Sequence, residues 1–304
     1  MRWEDYRSSD NVFNRRGEGG SAGAGFGGAG GGMIAFMLLR MIFSRFGIGG
    51  VVVAVGGFFL LSALGMNPLA VSGSGQQVRP GPSGEAPTSR YDAEIATILA
   101  TTEDVWNDVF ASQGADYPEP ALNLFAGGIN AGGCGFASAA VGPFYCPANR
   151  EIYIDTSFFE QLERQLGAPG DFARAYVIAH EVGHHIQTVT GVSDQVRAAQ
   201  ARARTDAERN DYSVRLELMA DCLAGVWARR AQGLDGFALE EGDIQEGLRA
   251  AAMIGDDTLQ RRAGRQANAE SFTHGTSEQR QRWLSIGYRT GDPDACDTLS
   301  AREL

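Results

Sequence analysis

Two histidines and a glutamate lie within one five-residue segment, His180–His184. His180 and His184 are four residues apart, so on an α-helix they share one face, about one turn from each other. Both imidazoles could therefore bind the same metal ion. Glu181 follows the first histidine and could reach a water molecule on that ion without binding the ion itself. The three residues together predict a metal centre that activates water.

The segment around these residues, 171–189, has the pattern of a buried helix. Gly170 with Asp171 would begin the helix, and Gly191 would end it. Core histidines bonded to backbone carbonyls are the alternative to a metal site. That alternative leaves Glu181 unexplained, because a buried carboxylate is costly unless it is paired or lies near a metal. The HExxH pattern is the one found in zinc peptidases.

A second acidic pair, Glu217 and Asp221, completes the predicted centre. A catalytic zinc site usually takes three protein ligands and leaves one position for water. The two acids are four residues apart on a predicted helix, so they share a face. We expect Glu217 to bind the metal and Asp221 to accept the free N–H of a ligand histidine, His180. A solvated acidic face, or an ion pair with Arg215 or Arg229, is the alternative.

The remaining histidines differ in their expected roles. His274 lies beside a glycine just before a predicted helix, where it could point into a cleft. His274, or Arg280 as a second candidate, could stabilise the oxyanion that forms when water attacks a peptide carbonyl. An ion pair with Asp256 or Asp257 is the structural alternative for both. His185 is turned by about 100° from its neighbouring ligand, so we expect it to pack in the core.

Several stretches of the chain together resemble the bacterial putative neutral zinc metallopeptidase family. The two histidines followed downstream by a glutamate resemble the ligand plan of the gluzincins. The likeness runs almost end to end, apart from the glycine-rich and linker segments. The matching stretches are Met1–Trp3, Asn11–Val12, Arg15–Gly17, Cys134–Gly135, Gly142–Pro147, Ile152–Asp155, the HExxH helix, Glu217–Cys222 and Ser271–Arg280. The resemblance implies a peptidase and supplies no substrate.

An uncharged segment over residues 46–66 has about the length of 20 residues that a helix needs to cross a bilayer. A shorter apolar run precedes it, so we assign residues 33–66 to the membrane. The long segment before it argues against a cleaved signal peptide. Basic residues precede the span and predict a cytoplasmic N-terminus, with the catalytic domain periplasmic or extracellular. These residues are Arg2, Arg7, Arg15, Arg16, Arg40 and Arg45.

Four cysteines agree with export, because an even set is typical of proteins in oxidising compartments. We expect disulfides between Cys134 and Cys146 and between Cys222 and Cys296, although four cysteines allow three pairings. A second zinc site is the alternative, but the spacing contains no Cys-x-x-Cys unit. The net charge of −11 argues against nucleic acid as a partner.

The predicted architecture is an α+β, zincin-like domain, mainly helical with a small sheet, preceded by one transmembrane helix. Residues 1–32 would be a disordered cytoplasmic tail, 67–90 a flexible linker and 91–304 the peptidase domain. The predicted strands are 121–125, 142–145 and 152–155, and the predicted helices are 91–113, 157–166, 171–189, 207–231, 240–262 and 277–288. The segment 132–145 could supply an exposed edge that binds an extended peptide.

The residues therefore predict a membrane-anchored zinc metalloendopeptidase with one Zn²⁺ per chain. Its partners would be a peptide or protein substrate and the lipid bilayer. A zinc-containing envelope scaffold without catalysis, or a module that regulates a protease, is the alternative. Hydrolysis of a non-peptide amide, such as a cell-wall cross-link, is a third hypothesis for the function.

Overall fold

The computed structural model describes residues 1–18 and 88–304, and secondary structure in these ranges is mainly helical, which confirms the α+β prediction. The helices are α1 (Asp92–Ser112), α2 (Ser157–Arg164), α3 (Asp171–Val189), α4 (Val192–Gln200), α5 (Asp206–Ala231), α6 (Asp243–Met253), α7 (Asp256–Arg262) and α8 (Ser277–Thr290). The strands are β1 (Val12–Asn14), β2 (Ala121–Phe125), β3 (Gly128–Asn130), β4 (Phe136–Ser138), β5 (Phe144–Cys146) and β6 (Glu151–Asp155).

Four strands form one sheet in the order β1-β2-β6-β5. The first three run parallel, whereas β5 runs antiparallel to β6 at one edge. Leu122, Leu124, Ile152 and Ile154 on the two central strands are fully or almost fully buried, as expected for strands between helices. The hairpin β3–β4 lies outside this sheet. One edge of the sheet is thus formed by β5, which overlaps the end of the segment 132–145 that we expected to supply an exposed edge.

Residues 1–18 belong to this fold. Val12 to Asn14 pair with the central strand β2. Arg7 Nη2 lies 2.7 Å from Asp104 Oδ1, and Arg16 Nη2 lies 2.6 Å from Asp92 Oδ1, so both arginines bind α1. The predicted disordered tail is therefore wrong for these residues. The polar composition of residues 1–18 favoured disorder, and their contacts could not be predicted from local sequence because the partners, α1 and β2, lie far along the chain.

The Met1 α-amino group adds a further anchor. It donates to Asp171 Oδ2 at 2.9 Å and to Asp243 Oδ1 at 3.2 Å, the first residues of α3 and α6. The N-terminal segment therefore contacts the start of the helix that carries the histidines.

The predicted membrane segment, residues 33–66, and the linker up to residue 87 lie outside the described residues. In the described ranges, none of the helices combines the length and the apolar character needed to cross a bilayer. Residues 1–18 and 88–304 belong to one compact unit. The predicted crossing by residues 33–66 and the predicted orientation stay predictions.

Helices α5 and α8 approach through two glycines. A Cβ atom on Gly225 would lie 2.2 Å from Leu284 O, and one on Gly287 would lie 1.9 Å from Cys222 O. Only glycine permits this backbone contact. The disulfide Cys222–Cys296 ties α5 to the C-terminal segment, and Cys134–Cys146 ties β5 to the preceding loop, as predicted.

Two helix predictions differ from the structure. The predicted helix 240–262 is interrupted at Gly255, where a Cβ atom would lie 2.5 Å from Ser277 N, so the close approach of α8 ends α6. Gly191 does end α3, but its φ of 81° starts a turn from which α4 begins at once. Helix α4 was not predicted from the sequence.

Candidate active site

Helices α3 and α5 bring the three predicted metal ligands together. His180 Nε2 lies 3.2 Å from Glu217 Oε2, and His184 Nε2 lies 3.4 Å from Glu217 Oε1. One ligand atom from each residue lies within 4.8 Å of the others. Ligand atoms held about 2.0–2.2 Å from a tetrahedral zinc ion lie roughly 3.3–3.6 Å apart. The nitrogen and oxygen donors and their spacing fit a zinc ion.

Gly183, inside the HExxH segment, permits this arrangement. A Cβ atom on Gly183 would lie 3.0 Å from both the Cα and the carbonyl oxygen of Ala220. The backbones of α3 and α5 therefore almost touch beside the ligands. This crossing holds the Glu217 carboxylate opposite the two imidazoles.

The Nδ1 atom of each ligand histidine has a partner of its own. Asp221 Oδ1 lies 2.9 Å from His180 Nδ1, and Gln187 Oε1 lies 2.9 Å from His184 Nδ1. Gln187 Nε2 donates to Leu216 O at 2.6 Å, so the amide oxygen faces the histidine. Acceptors at Nδ1 favour the tautomer whose Nε2 lone pair binds a metal. Gln187 was not among the predicted site residues, although its helical spacing of three residues from His184 could have indicated it.

A buried network supports Asp221. Arg280 Nε lies 2.8 Å from Asp221 Oδ2, and Arg280 Nη2 lies 2.9 Å from Oδ1. Tyr176 also donates its hydroxyl to Asp221 Oδ1, at 2.5 Å. Burial opposes ionisation of Asp221, but Arg280 and His180 together outweigh it, and the pKa of Asp221 falls below its ordinary value. Arg280, predicted as a possible oxyanion donor, binds the carboxylate behind His180.

Burial and neighbouring charges also set the protonation of the ligands. Burial disfavours a charged His180, but Asp221 and then Glu217 outweigh it and raise the pKa of His180 to about 10. Burial likewise opposes ionisation of Glu217, yet the two histidines lower its pKa. A metal ion that binds here must displace a proton from His180, because only the neutral ring offers a lone pair.

Glu181 lies in the same cleft, beside the ligand histidines. Only 7% of its surface is exposed, and this burial raises its pKa above the ordinary value, while His184 and His180 oppose the rise. A carboxylate with a raised pKa is a stronger proton acceptor. The residue is therefore suited to accept a proton inside the cleft.

His274 lines the cleft and is held by Asp256. Its Nδ1 lies 3.3 Å from Asp256 Oδ1, and its backbone N–H donates to Asp256 Oδ2 at 2.6 Å. The bond to Asp256 raises the pKa of His274 against the opposing effect of burial, and Glu217 adds to the rise. The side chain remains half exposed, so it can meet a ligand in the cleft. The ion pair between His274 and Asp256, which was the structural alternative, is therefore present. It still leaves the His274 ring free to contact a molecule in the cleft.

His185 packs in the core, as its position on the helix predicted. It is fully buried, with Nε2 2.5 Å from Pro118 O and Nδ1 3.2 Å from Tyr145 Oη. Burial lowers the pKa of His185 to about 4, so the ring is neutral at pH 7. Through Tyr145 it links β5 to α3.

A cleft of about 600 Å³ contains the ligands, Glu181 and His274. Residues 142–145, the end of the predicted edge segment, form one wall of this cleft. Among the described residues, strand β5 is the last strand of its sheet, and no other strand of residues 1–18 or 88–304 pairs with its outer side in that sheet. The cleft can therefore hold a metal ion, offer the buried carboxylate of Glu181 and present a strand edge to one bound molecule.

The family profile described as "Putative neutral zinc metallopeptidase" matches residues 1–299 of the chain. The match includes the N-terminal segment that packs with the domain.

Curated relatives extend this likeness. "Uncharacterized protein YpfJ" of Escherichia coli (strain K12) is 41% identical over 309 residues, which covers 98% of this chain and 99% of that protein. "Uncharacterized protein Rv2575" of Mycobacterium tuberculosis (strain ATCC 25618 / H37Rv) is 44% identical over 198 residues, or 62% of this chain and 65% of that protein. Comparison with solved structures finds none that matches.

Proposed function

The chain belongs to the putative neutral zinc metallopeptidase family, and on this premise we propose that it is a zinc-dependent endopeptidase with Glu181 as its general base. The observation that carries the proposal is the ligand spacing of His180, His184 and Glu217, which fits tetrahedral zinc beside a buried carboxylate. A purely structural zinc site has no use for Glu181.

A zinc ion in this site would polarise the scissile carbonyl and acidify water. Glu181 accepts a proton from the attacking water as the oxygen–carbon bond forms. The same residue then gives that proton to the amine as the carbon–nitrogen bond breaks. Its raised pKa favours the first transfer, because a more basic carboxylate takes the proton more readily.

His274 donates a hydrogen bond to the oxyanion from its half-exposed ring. The raised pKa keeps this ring protonated to higher pH, which favours a developing negative charge. Arg280 has a different role: it positions Asp221, which orients His180.

The outer side of β5 binds the substrate backbone as an added strand. Tyr145 on this strand is tied to α3 through His185, which keeps the edge beside the metal ligands. Main-chain hydrogen bonds of this kind accept many sequences, so selectivity must come from side-chain pockets.

The domain functions outside the cytoplasm, attached through the apolar segment 33–66. The two disulfides support an oxidising compartment. The packing of residues 1–18 with residues 88–304 supports a topology in which the chain enters and leaves the membrane on that side.

Cleavage of casein by the full chain, measured beside a Glu181→Gln variant of equal zinc content, tests the proposal. Cleavage by the parent alone supports it. Equal zinc without cleavage by either protein favours an envelope scaffold or regulatory module instead.

A further inference from the structure

One long stretch of the folded domain carries no charge. Residues 120–149 contain no Asp, Glu, Lys or Arg, although charged residues make up 21% of the chain. The stretch includes β2, the hairpin β3–β4 and β5. Charged side chains normally lie on protein surfaces, so the part of this stretch that is exposed forms an unusual surface.

The hairpin β3–β4 covers the face of the sheet that points away from the helices. Phe125 and Tyr153 on this face pack with Ile129 and Ala137 of the hairpin in a small core of their own. The opposite face, which includes Leu122, packs in the main core with the helices. The outer side of the hairpin is therefore part of the surface of the domain.

Large apolar side chains of this segment are exposed. Phe136 is 64% exposed and Val141 is 62% exposed, the two highest values among the large apolar side chains of residues 1–18 and 88–304. Phe13 is exposed on the same side of the sheet, because its register partner Asn123 pairs in turn with Tyr153 beneath the hairpin. Single exposed apolar residues are common, whereas several on one uncharged side indicate an interaction surface.

The two described ranges of the chain meet at the start of α1. They end at residue 18 and resume at residue 88. The Asp92 carboxylate accepts a hydrogen bond from Arg16 Nη1 at 2.8 Å and one from the Ser89 backbone N–H at 3.1 Å. The chain therefore leaves and re-enters the domain at one place, and the apolar segment 33–66 lies between these two points in the sequence.

The hairpin begins beside this place. Arg16 Nη2 lies 3.5 Å from Thr156 Oγ1, directly after β6. The preceding residue, Asp155, accepts a hydrogen bond from the Gly127 backbone N–H at 2.7 Å, where the hairpin follows β2. Because β1, β2 and β6 run parallel, their carboxyl ends lie at one edge of the sheet. The chain ends and the base of the hairpin share that edge.

We propose that residues 136–141, which we call the hairpin surface, dock on a phospholipid bilayer with Phe136 and Val141 at the boundary between headgroups and acyl chains. The inference rests on the attachment through residues 33–66, one part of the proposed function, and does not depend on peptide cleavage. That attachment would hold this edge beside the bilayer and raise the local concentration of lipid, so a small apolar contact is sufficient. Burial of Phe136 removes apolar area from water, and the uncharged segment has no charged side chain to dehydrate.

A fluorescent label on the hairpin surface tests the docking. The four native cysteines are paired in disulfides, so an introduced cysteine supplies a single thiol. Ala140→Cys is exposed beside Val141 and leaves Phe136 and Val141 in place. The full chain, with the environment-sensitive label NBD on this thiol, is reconstituted into phosphatidylcholine liposomes. We expect blue-shifted emission, and quenching by phosphatidylcholine that carries a doxyl group on its acyl chain.

Asp108→Cys is the control position for the label. Its side chain is 82% exposed on α1, roughly 24 Å along the helix from Asp92, where the chain ends meet. Label at this position should show neither the blue shift nor the quenching by lipid.

Phe136→Glu, introduced together with Ala140→Cys, tests the side chain itself. The new carboxylate would lose its hydration in the acyl region, so most of the quenching by lipid should be lost. Phe136 is exposed, so the fold should tolerate the change. Leu259→Glu changes another exposed apolar side chain, on α7, and should leave the quenching unchanged.

Flotation of the chain with the liposomes measures the attachment separately. A chain that floats while its Ala140→Cys label is not quenched overturns the docking and leaves the attachment standing. A blue shift without quenching by lipid means that protein covers the surface, either residues 33–66 or a second copy, and overturns the inference too. Quenching that survives Phe136→Glu has the same consequence. A chain that does not float overturns attachment and docking together, and casein cleavage still tests catalysis.

Discussion

Arg280 and Asp221 form a buried ion pair directly behind His180. Two nitrogens of Arg280 lie 2.8 and 2.9 Å from the two oxygens of Asp221, and the side chains are only 2% and 0% exposed. Asp221 Oδ1 in turn lies 2.9 Å from His180 Nδ1. Side chains from three helices thus fix the orientation of His180, a candidate metal ligand.

Arg280→Met should therefore weaken both folding and zinc binding. Removing one partner leaves the Asp221 charge buried and unpaired, which costs about 3–5 kcal/mol in the free energy of unfolding. Loss of the support behind His180 should weaken zinc affinity about 10–100-fold. Denaturant unfolding and competition with a zinc chelator measure the two effects. Arg282→Met, on the exposed side of the same helix, is the control and should change neither. Parent-like zinc affinity in Arg280→Met would refute the positioning role.

Gln187 provides a milder test of the same principle. Gln187→Ala removes the acceptor for His184 Nδ1 but leaves all three ligands in place. We expect zinc affinity to fall about 10–100-fold, because the imidazole loses its preferred tautomer and orientation. The exposed Gln195→Ala on α4 serves as the control. If both variants bind zinc equally tightly in chelator competition, Gln187 has no role at the centre.

Asp256 should set the alkaline limit of activity. Its hydrogen bond raises the pKa of His274, so the ring stays protonated above its ordinary range and loses its charge only as the pH rises through that raised value. In Asp256→Asn the pKa of His274 falls, and the alkaline limb of the kcat/KM profile should move to lower pH. NMR titration of the His274 ring should show the same direction of shift.

Asp257→Asn is the matched control for this prediction. Asp257 neighbours Asp256 but accepts from the Ser277 backbone at the start of α8. The alkaline limb of the kcat/KM profile of Asp257→Asn should coincide with that of the parent. An unshifted limb in Asp256→Asn would exclude His274 as the protonated donor to the oxyanion.

The N-terminal segment should share a compartment with the catalytic cleft. Asp10→Cys and Asp116→Cys introduce thiols at exposed positions in the two parts of the fold. In membrane vesicles of defined orientation, an impermeant maleimide should label both variants in right-side-out vesicles. Thr101→Cys, which is fully buried, should react only after denaturation. Labelling of the two exposed variants in vesicles of opposite orientation would contradict the packing of β1 against β2.

Local spacing was sufficient to predict which residues form the candidate metal centre, and the structure brings His180, His184 and Glu217 together. The intervals between His180 and His184 and between Glu217 and Asp221 each place two side chains on one helical face, because helical periodicity is a local property. Helical periodicity also placed His185 on a different face of α3 from His184, and this face packs in the core. The strand β6 was likewise predicted correctly from the alternation of its side chains along Ile152–Asp155.

Contacts between distant segments could not be predicted from local periodicity. The strand β1 is only three residues long, and its place in the sheet depends on pairing with β2, over a hundred residues away. The partner of Arg280 follows from the glycine contact between α5 and α8, which no periodicity within either helix reveals. Only the assembled helices show that Arg280 binds Asp221 behind His180.

The most direct test of the proposed function compares the full chain with its Glu181→Gln variant, in one assay of zinc content and casein cleavage. We expect one zinc per chain in both proteins and cleavage by the parent alone, because the substitution keeps all three candidate ligands and removes the proton acceptor. Zinc binding that survives in His180→Ala, or substantial turnover by Glu181→Gln, would contradict it.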